Sequence, residues 1–300
     1  MESMDTYAHL ITPANLIAAL LALTPFLAVA IFPQTMAARV RALSGWLQLA
    51  SPILLGIPYL LVATAAGSFR WEWFDLYAGF PVVIAVMLTQ AARMDAAQRG
   101  NWRDFLILAI LGLAVDLRWF EAAWPAHLGL FNKILLLDAG IYGFVLIRQL
   151  EGTGFDLRLR PADAAIGLRE AAFYTPVALA LGLSLGFLHV HRIWPGLAPI
   201  AGAWIFTFFF IAVPEELFFR GWLQNLLERR MGRTAALFVT AALFGLAHFN
   251  KRADHFNWRY VLLAAIAGIF YGRAWRRDRR IGASAVTHAT VDAVWSLWLR

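Results

Sequence analysis

The chain has 300 residues, of which 61% are hydrophobic and 15% are charged. A soluble globular protein is closer to half apolar and a quarter charged, so this composition indicates an integral membrane protein built from apolar helices. The absence of cysteine excludes disulfides, thiolate metal sites and a cysteine nucleophile. The net charge of +7 does not indicate a nucleic-acid partner, because the arginines fall in short loops and form no patterned tail.

Apolar runs of spanning or near-spanning length recur along the chain, and none alternates as a strand does. They lie at residues 13–33, 47–69, 76–93, 104–117, 126–148, 170–189, 197–214, 234–249, 259–274 and 281–299. Because a lipid-exposed backbone must satisfy its own hydrogen bonds, the runs predict an all-α fold, a polytopic transmembrane helical bundle of about 8–10 helices. We expect a multi-pass protein of the cell membrane, surrounded by membrane lipids.

Two carboxylates and a guanidinium follow directly on an uncharged run, in the stretch "VPEELFFRGWLQ". Glu216 and Arg220 are four residues apart, so on a helix they share a face and can pair, whereas Glu215 points about 100° away. Each charge at the centre of a span costs on the order of 2.5–3.5 kcal/mol. Two interpretations stay open. Either the helix has left the bilayer at Pro214 and the charges are interfacial, or they form a buried polar site with Glu215 as its functional group.

Histidines and an aspartate appear in two later apolar runs. The segment "LFGLAHFN" places Phe244 and His248 four residues apart, and "SAVTHATVDAVWSLW" does the same for His288 and Asp292. A lone histidine on an apolar helix is usually a core or interface residue, but a His–Asp pair at this spacing faces one direction. Ionisable groups inside a membrane face the bundle interior or a wet cavity by default, so we predict that the three runs share one polar site.

Three short motifs in the C-terminal half resemble those of a known family. The segments "EELFFR" (215–220), "FGLAH" (244–248) and "HATVD" (288–292) are similar in order and spacing to EExxxR, FxxxH and HxxxN. These are the motifs of the CPBP family of CAAX prenyl proteases and bacteriocin-processing membrane proteins, which includes the Rce1-type proteases. The resemblance implies a CPBP-type transmembrane domain at residues 151–300, with residues 1–150 as additional N-terminal transmembrane helices.

The resemblance implies an intramembrane endopeptidase of the CAAX protease type. Glu215 would act as the general base, and His248 would hold the same water and share its proton. His288 would stabilise the oxyanion, and Glu216 and Arg220 would form a structural pair. These roles agree with the chemistry of amide hydrolysis, which needs a base for water and a donor aimed at the developing oxyanion.

Position 292 departs from the family pattern, because the family has asparagine where this chain has aspartate. An asparagine amide can donate a hydrogen bond to an oxyanion, and an ionised aspartate cannot. A charged Asp292 would orient and charge His288, whereas a protonated Asp292 would donate to the oxyanion directly. A zinc-dependent mechanism is a third alternative, although no HExxH motif is present. Its ligands would be Glu215, His248, His288 and Asp292.

The sequence therefore predicts a membrane peptidase that cuts a membrane-associated or lipid-modified protein or peptide near the bilayer surface. The rival interpretation is a non-catalytic membrane protein that uses the same polar cluster as a scaffold, an immunity factor or a transporter. Glu215 separates the two, because a protease needs this carboxylate even against glutamine, whereas a scaffold would tolerate the substitution.

Overall fold

The computed structural model describes residues 10–251 and 255–299. Every regular element in those residues is helical and none is a strand, which confirms the predicted all-α class. The chain divides into two compact units, Met1–Leu150 and Glu151–Arg300. The functional assignment of the two predicted domains stays a prediction, and residues 1–9, 252–254 and 300 of those domains lie outside the described residues.

The described part of the N-terminal unit consists of six helices joined by short connections. They are α1 Pro13–Ile31, α2 Pro33–Ala42, α3 Gly45–Ala65, α4 Trp71–Met94, α5 Trp102–Asp116 and α6 Leu130–Ile147, with a 3₁₀ turn at Glu121–Ala123 before α6. Arg148, directly after α6, is buried and lies 3.1 Å from Asp104 at the start of α5 and 2.7 Å from Asp95 after α4. One ion-pair network therefore fastens the ends of three helices.

The C-terminal unit contains five helices in its described residues. They are α7 Pro161–Ser184, α8 Leu197–Met231, α9 Arg233–Leu246, α10 Trp258–Asp278 and α11 Ile281–Trp298. Helix α8 runs for 35 residues and passes through Pro214 without ending. Proline removes a backbone donor and clashes with the carbonyl four residues earlier. Here the π-helical stretch Phe208–Ala212 precedes it and changes which carbonyls are paired, so the helix continues past Pro214.

Each of the ten predicted apolar runs overlaps a helix, and among the described residues six helices are long and apolar enough to cross a membrane. These six are α1, α3, α4, α6, α7 and α8. The chain is therefore a multi-pass integral membrane protein. Helix α11 is not among the six, because its polar residues lower its hydropathy, and its N-terminal half is buried in the C-terminal unit instead.

Helix α9 is shorter than the apolar run that predicts it. The run extends to residue 249, but the helix ends at Leu246, so His248 lies in the turn that follows. This turn leads toward α10, where the Asn257 side chain caps the helix and also donates a hydrogen bond to the carbonyl of Lys251. The side chain of Asn257 therefore ties the start of α10 to Lys251 within the connection.

The start of α11 is anchored to α7 and to the segment before it. The Arg280 Nε atom donates to both carboxylate oxygens of Asp163, at 2.9 and 3.0 Å, and the Ile281 N–H donates to the carbonyl of Gly154 at 2.9 Å. Further along, a Cβ on Gly167 of α7 would lie 2.6 Å from the side chain of Val286, so only glycine permits this approach. The two helices are thus held in one register.

Asp156 lies in the segment before α7 and forms an ion pair with Arg280. A hydrogen bond and charge from the Arg158 side chain, helped by the charge of Arg280, hold the pKa of Asp156 down at about 2. The Arg280 guanidinium also donates to the backbone carbonyls of Asp156 and Arg158, at 3.2 and 2.8 Å. Arg280 therefore fixes this segment and the start of α11 together.

Candidate active site

Glu216 and Arg220 form a fully buried ion pair on α8. The Glu216 Oε2 and Arg220 Nε atoms are 3.2 Å apart, and both side chains have no exposed surface. Arg220 Nη2 donates to the carbonyl of Gly268 on α10 at 2.9 Å, and the guanidinium carbon lies 4.8 Å from the ring centre of Phe244 on α9. The arginine is therefore held by three helices, and the ion pair is buried inside the protein.

His288 is the point at which the acidic groups meet. Its Nδ1 atom lies 2.9 Å from Glu216 Oε1, and its Nε2 atom lies 3.5 Å from Asp292 Oδ2 and 4.0 Å from Glu215 Oε2. When Glu216 is ionised it can only accept, so the bond requires a proton on Nδ1. Glu216 thus bridges Arg220 and His288, a link that the spacing of the motifs did not indicate.

The charges in this cluster do not balance within it. Glu215, Glu216 and Asp292 supply three carboxylates, while Arg220 and a protonated His288 supply two positive charges. Glu216 is fully buried between both cations, whereas the side chains of Glu215 and Asp292 are 28% and 29% exposed. The remaining proton or negative charge therefore belongs to the two carboxylates that water can reach, and these two flank His288 Nε2.

His248 stands beside the cluster and is itself buried. Its Nδ1 atom lies 2.9 Å from the carbonyl oxygen of Phe244, which can only accept, so Nδ1 donates and Nε2 is the nitrogen left for a ligand. The Phe244 ring lies 5.0 Å from the His248 ring and 5.7 Å from the His288 ring. Phe244 thus packs against both histidines, and Glu215 and Asp292 are near enough to His248 to interact with it electrostatically.

A cavity of about 90 Å³ adjoins the cluster, and His248, His288 and Asp292 form part of its wall. The rest of the wall is mostly apolar and comes from α7, α9, α10 and α11 and from the segments after α7 and α11. Its large aromatic members, which the sequence analysis missed, are Tyr174, Phe187, Tyr260, Tyr271 and Trp295. One signal could have found two of them: Tyr260 and Tyr271 are eleven residues apart, close to three helical turns, and so share a face of α10.

The arrangement gives no support to the zinc alternative. Across residues 10–251 and 255–299, no group of three or more histidine, aspartate or glutamate side chains has the geometry of a metal site. Glu216 and Arg220 occupy one side of His288, and Nδ1 of each histidine is already engaged by an oxygen acceptor. The side chains are instead arranged for proton transfer and hydrogen bonding.

Comparison with known proteins finds a family model that resembles the part of the chain holding this cluster. Residues 196–294 match the family model described as type II CAAX prenyl endopeptidase Rce1-like, and all six predicted site residues lie in that range. Neither a curated protein nor a solved structure matches the chain. The match agrees with the motif resemblance, and residues 196–294 are similar to the Rce1-like family.

Proposed function

We propose that the chain is an endopeptidase of the cell membrane that hydrolyses a peptide bond in a membrane-associated or lipid-modified substrate. The observation that carries the proposal is the convergence of Glu215, Glu216 and Asp292 on His288, all within 4.0 Å of its ring nitrogens. His248, His288 and Asp292 line one cavity, which gives the reacting carbonyl group and a water molecule a place beside both imidazoles.

Glu215 is the general base in this proposal. Its carboxylate is partly exposed, so a water molecule can reach it, and the nearby buried groups limit competing solvent. The water loses a proton to Glu215 as its oxygen attacks the carbonyl carbon of the scissile bond. His248 accepts a second hydrogen bond of the same water at Nε2, and Glu215 later returns its proton to the leaving amine.

His288 supplies the donor for the oxyanion. Because Nδ1 already carries a proton for Glu216, Nε2 can donate only when the ring is an imidazolium. Glu216 stabilises that positive charge at 2.9 Å, so the buried Glu216–Arg220 pair serves the chemistry as well as the packing. The positively charged donor stabilises the negative charge that develops on the carbonyl oxygen.

Asp292 replaces the amide that the family pattern has at this position. In the resting site its Oδ2 atom lies 3.5 Å from His288 Nε2, where an ionised carboxylate competes with an oxyanion for the same proton. A protonated Asp292 removes that competition and adds a second donor.

The test compares the peptide termini in membranes of host cells that carry either the wild-type chain or Glu215→Gln, at equal protein levels. Asp278→Asn, at the exposed end of α10, is the matched control for loss of a carboxylate. We expect termini that are present with wild type and the control to be absent with Glu215→Gln, which also identifies the substrate.

The opposite result is also informative. If the termini are unchanged by Glu215→Gln although a deletion strain has a phenotype, the peptidase proposal fails. A scaffold, immunity or transport function of the same polar cluster would then take its place.

A further inference from the structure

The imidazole of His288 rests on the ring of Tyr271. The two ring centres are 4.6 Å apart and the planes differ by 17°, so the rings are stacked face to face. Tyr271 is on α10 and is itself fully buried. None of the three sequence motifs includes this residue.

Three contacts together determine where the His288 ring points. Tyr271 covers one face, Phe244 meets the ring edge-on at 5.7 Å and 87°, and Glu216 holds Nδ1 at 2.9 Å. The hydrogen bond fixes the direction of Nδ1, but it leaves the plane of the ring free to tilt about that bond. The stacked ring of Tyr271 removes that tilt, and the direction of Nε2–H is then set.

Tyr271 also faces the second cation of the cluster. The guanidinium carbon of Arg220 lies 5.6 Å from its ring centre. A cation near the face of an aromatic ring is attracted by the ring's negative quadrupole, and the attraction grows when water is excluded. Tyr271 therefore contacts both Arg220 and the imidazolium form of His288, the two groups that Glu216 joins by hydrogen bond and ion pair.

Two glycines allow α10 to bring Tyr271 this close. A Cβ on Gly272 would collide with the side chains of Leu237 on α9 and Gln224 on α8, and a Cβ on Gly268 would lie 3.1 Å from the backbone of Ala241. The close approach of α10 to α8 and α9 is thus possible only because these positions lack side chains. Tyr271 directly precedes Gly272, so the close packing of α10 places its ring in the interior of the C-terminal unit.

We propose that Tyr271 is a positioning residue of the peptidase site, whose stacked ring orients His288 so that Nε2–H points to the oxyanion. The proposal rests on the proposed function, because it assigns Tyr271 to that reaction. It requires the aromatic ring and not the hydroxyl group. A misplacement of about 1 Å at a reacting group can lower a rate on the order of 10²-fold, so loss of the ring should appear in kcat.

The experiment measures kcat and KM of the purified full chain in lipid vesicles, with a peptide taken from the termini comparison as the probe. The variants are Tyr271→Leu, which removes the ring, and Tyr271→Phe, which keeps it. Tyr59→Leu is the control, because Tyr59 is an equally buried tyrosine that stacks on Tyr77 in the N-terminal unit. Rates are expressed per folded molecule, counted by the fraction that resists protease.

We expect Tyr271→Leu to lower kcat on the order of 10-fold to 100-fold with little change in KM, Tyr271→Phe to restore kcat, and Tyr59→Leu to lower only the folded fraction. If Tyr271→Leu keeps its kcat, or if Tyr271→Phe loses as much as Tyr271→Leu, the proposal is overturned. Glu215→Gln in the same assay tests the proposed peptidase function separately from the role of Tyr271. A normal rate in that variant would reject the proposed function itself, whereas a lost rate with an unaffected Tyr271→Leu would reject only the role of Tyr271.

Discussion

Removal of the negative charge of Glu216 should destabilise the C-terminal unit more than any exposed ion pair would. In Glu216→Gln the buried guanidinium of Arg220 keeps one described hydrogen bond, from Nη2 to the carbonyl of Gly268, while Nη1 has no hydrogen-bond partner among residues 10–251 and 255–299. Breaking a buried pair in this way costs about 3–5 kcal/mol. Coulomb's law at the 3.2 Å separation and an effective dielectric constant of about 20 gives about 5 kcal/mol, which is the same range.

Removal of the positive charge of Arg220 should lower the free energy of unfolding by a smaller amount, because Glu216 keeps His288 as a partner. In Arg220→Met the carboxylate still lies 2.9 Å from His288 Nδ1, and the imidazolium compensates its charge. The double variant Glu216→Gln/Arg220→Met removes both charges, so its loss should be smaller than the sum of the two single losses. A coupling of this sign would demonstrate that the two groups act as a pair.

The assay is equilibrium unfolding of the full chain in detergent micelles, with the midpoint and slope measured for each variant. Glu72→Gln, which removes an exposed carboxylate paired with Arg70 in the N-terminal unit, is the matched control and should unfold as wild type does. If Glu216→Gln lowers the free energy of unfolding by less than about 1 kcal/mol, the size expected of a surface pair, the substitution does not leave an uncompensated buried charge on Arg220 and the reasoning is refuted.

Three other substitutions test separate parts of the structure. Asp292→Asn keeps the shape of the side chain and supplies an amide donor, so we expect a folded chain that retains peptidase activity; a loss as large as that of Glu215→Gln would contradict the donor role of position 292. Asp156→Asn removes a group whose folded pKa of about 2 lies below its usual 3.8, so the wild type should lose more stability than the variant as the pH falls from about 4 to 2, measured by unfolding at each pH. Gly154→Ala places a Cβ against the carbonyl oxygen of Arg279 at a φ of +72°. It should lower the free energy of unfolding more than Gly67→Ala, where φ is +66° and the space is open. Equal unfolding midpoints for the two variants would refute the collision.

Much of the fold could be predicted because it depends on local properties. Long apolar runs without alternation leave a helix as the only secondary structure that satisfies the backbone in lipid, and each of the ten runs overlaps a helix. The proximity of Glu216 and Arg220 follows in the same way from a spacing of four residues. The contact of His248 with the carbonyl of Phe244 is also local, although the helix of that run ends before the histidine.

Local sequence rules did not predict where helix α8 ends or how helix α11 is buried. Pro214 predicts a helix end, but the π-helical stretch before it lets α8 continue, and no residue type announces that stretch. Helix α11 has the length of a span, yet three of its polar residues, Ser284, Thr287 and His288, are buried by packing against other helices. In both cases the surrounding helices decide what the sequence pattern leaves open.

The sequence by itself determined the helical class, the membrane environment and the residue types of the site, because composition and the 3.6-residue period act within one helix. It also determined that Glu215 and Glu216 point in different directions. Only the tertiary structure decided that Glu216 binds His288, that Glu215 and Asp292 flank the same ring nitrogen, and that Tyr271 stacks on that ring. These contacts join residues of different helices, and they depend on how closely the helices approach, which glycines such as Gly167 and Gly272 permit but do not specify.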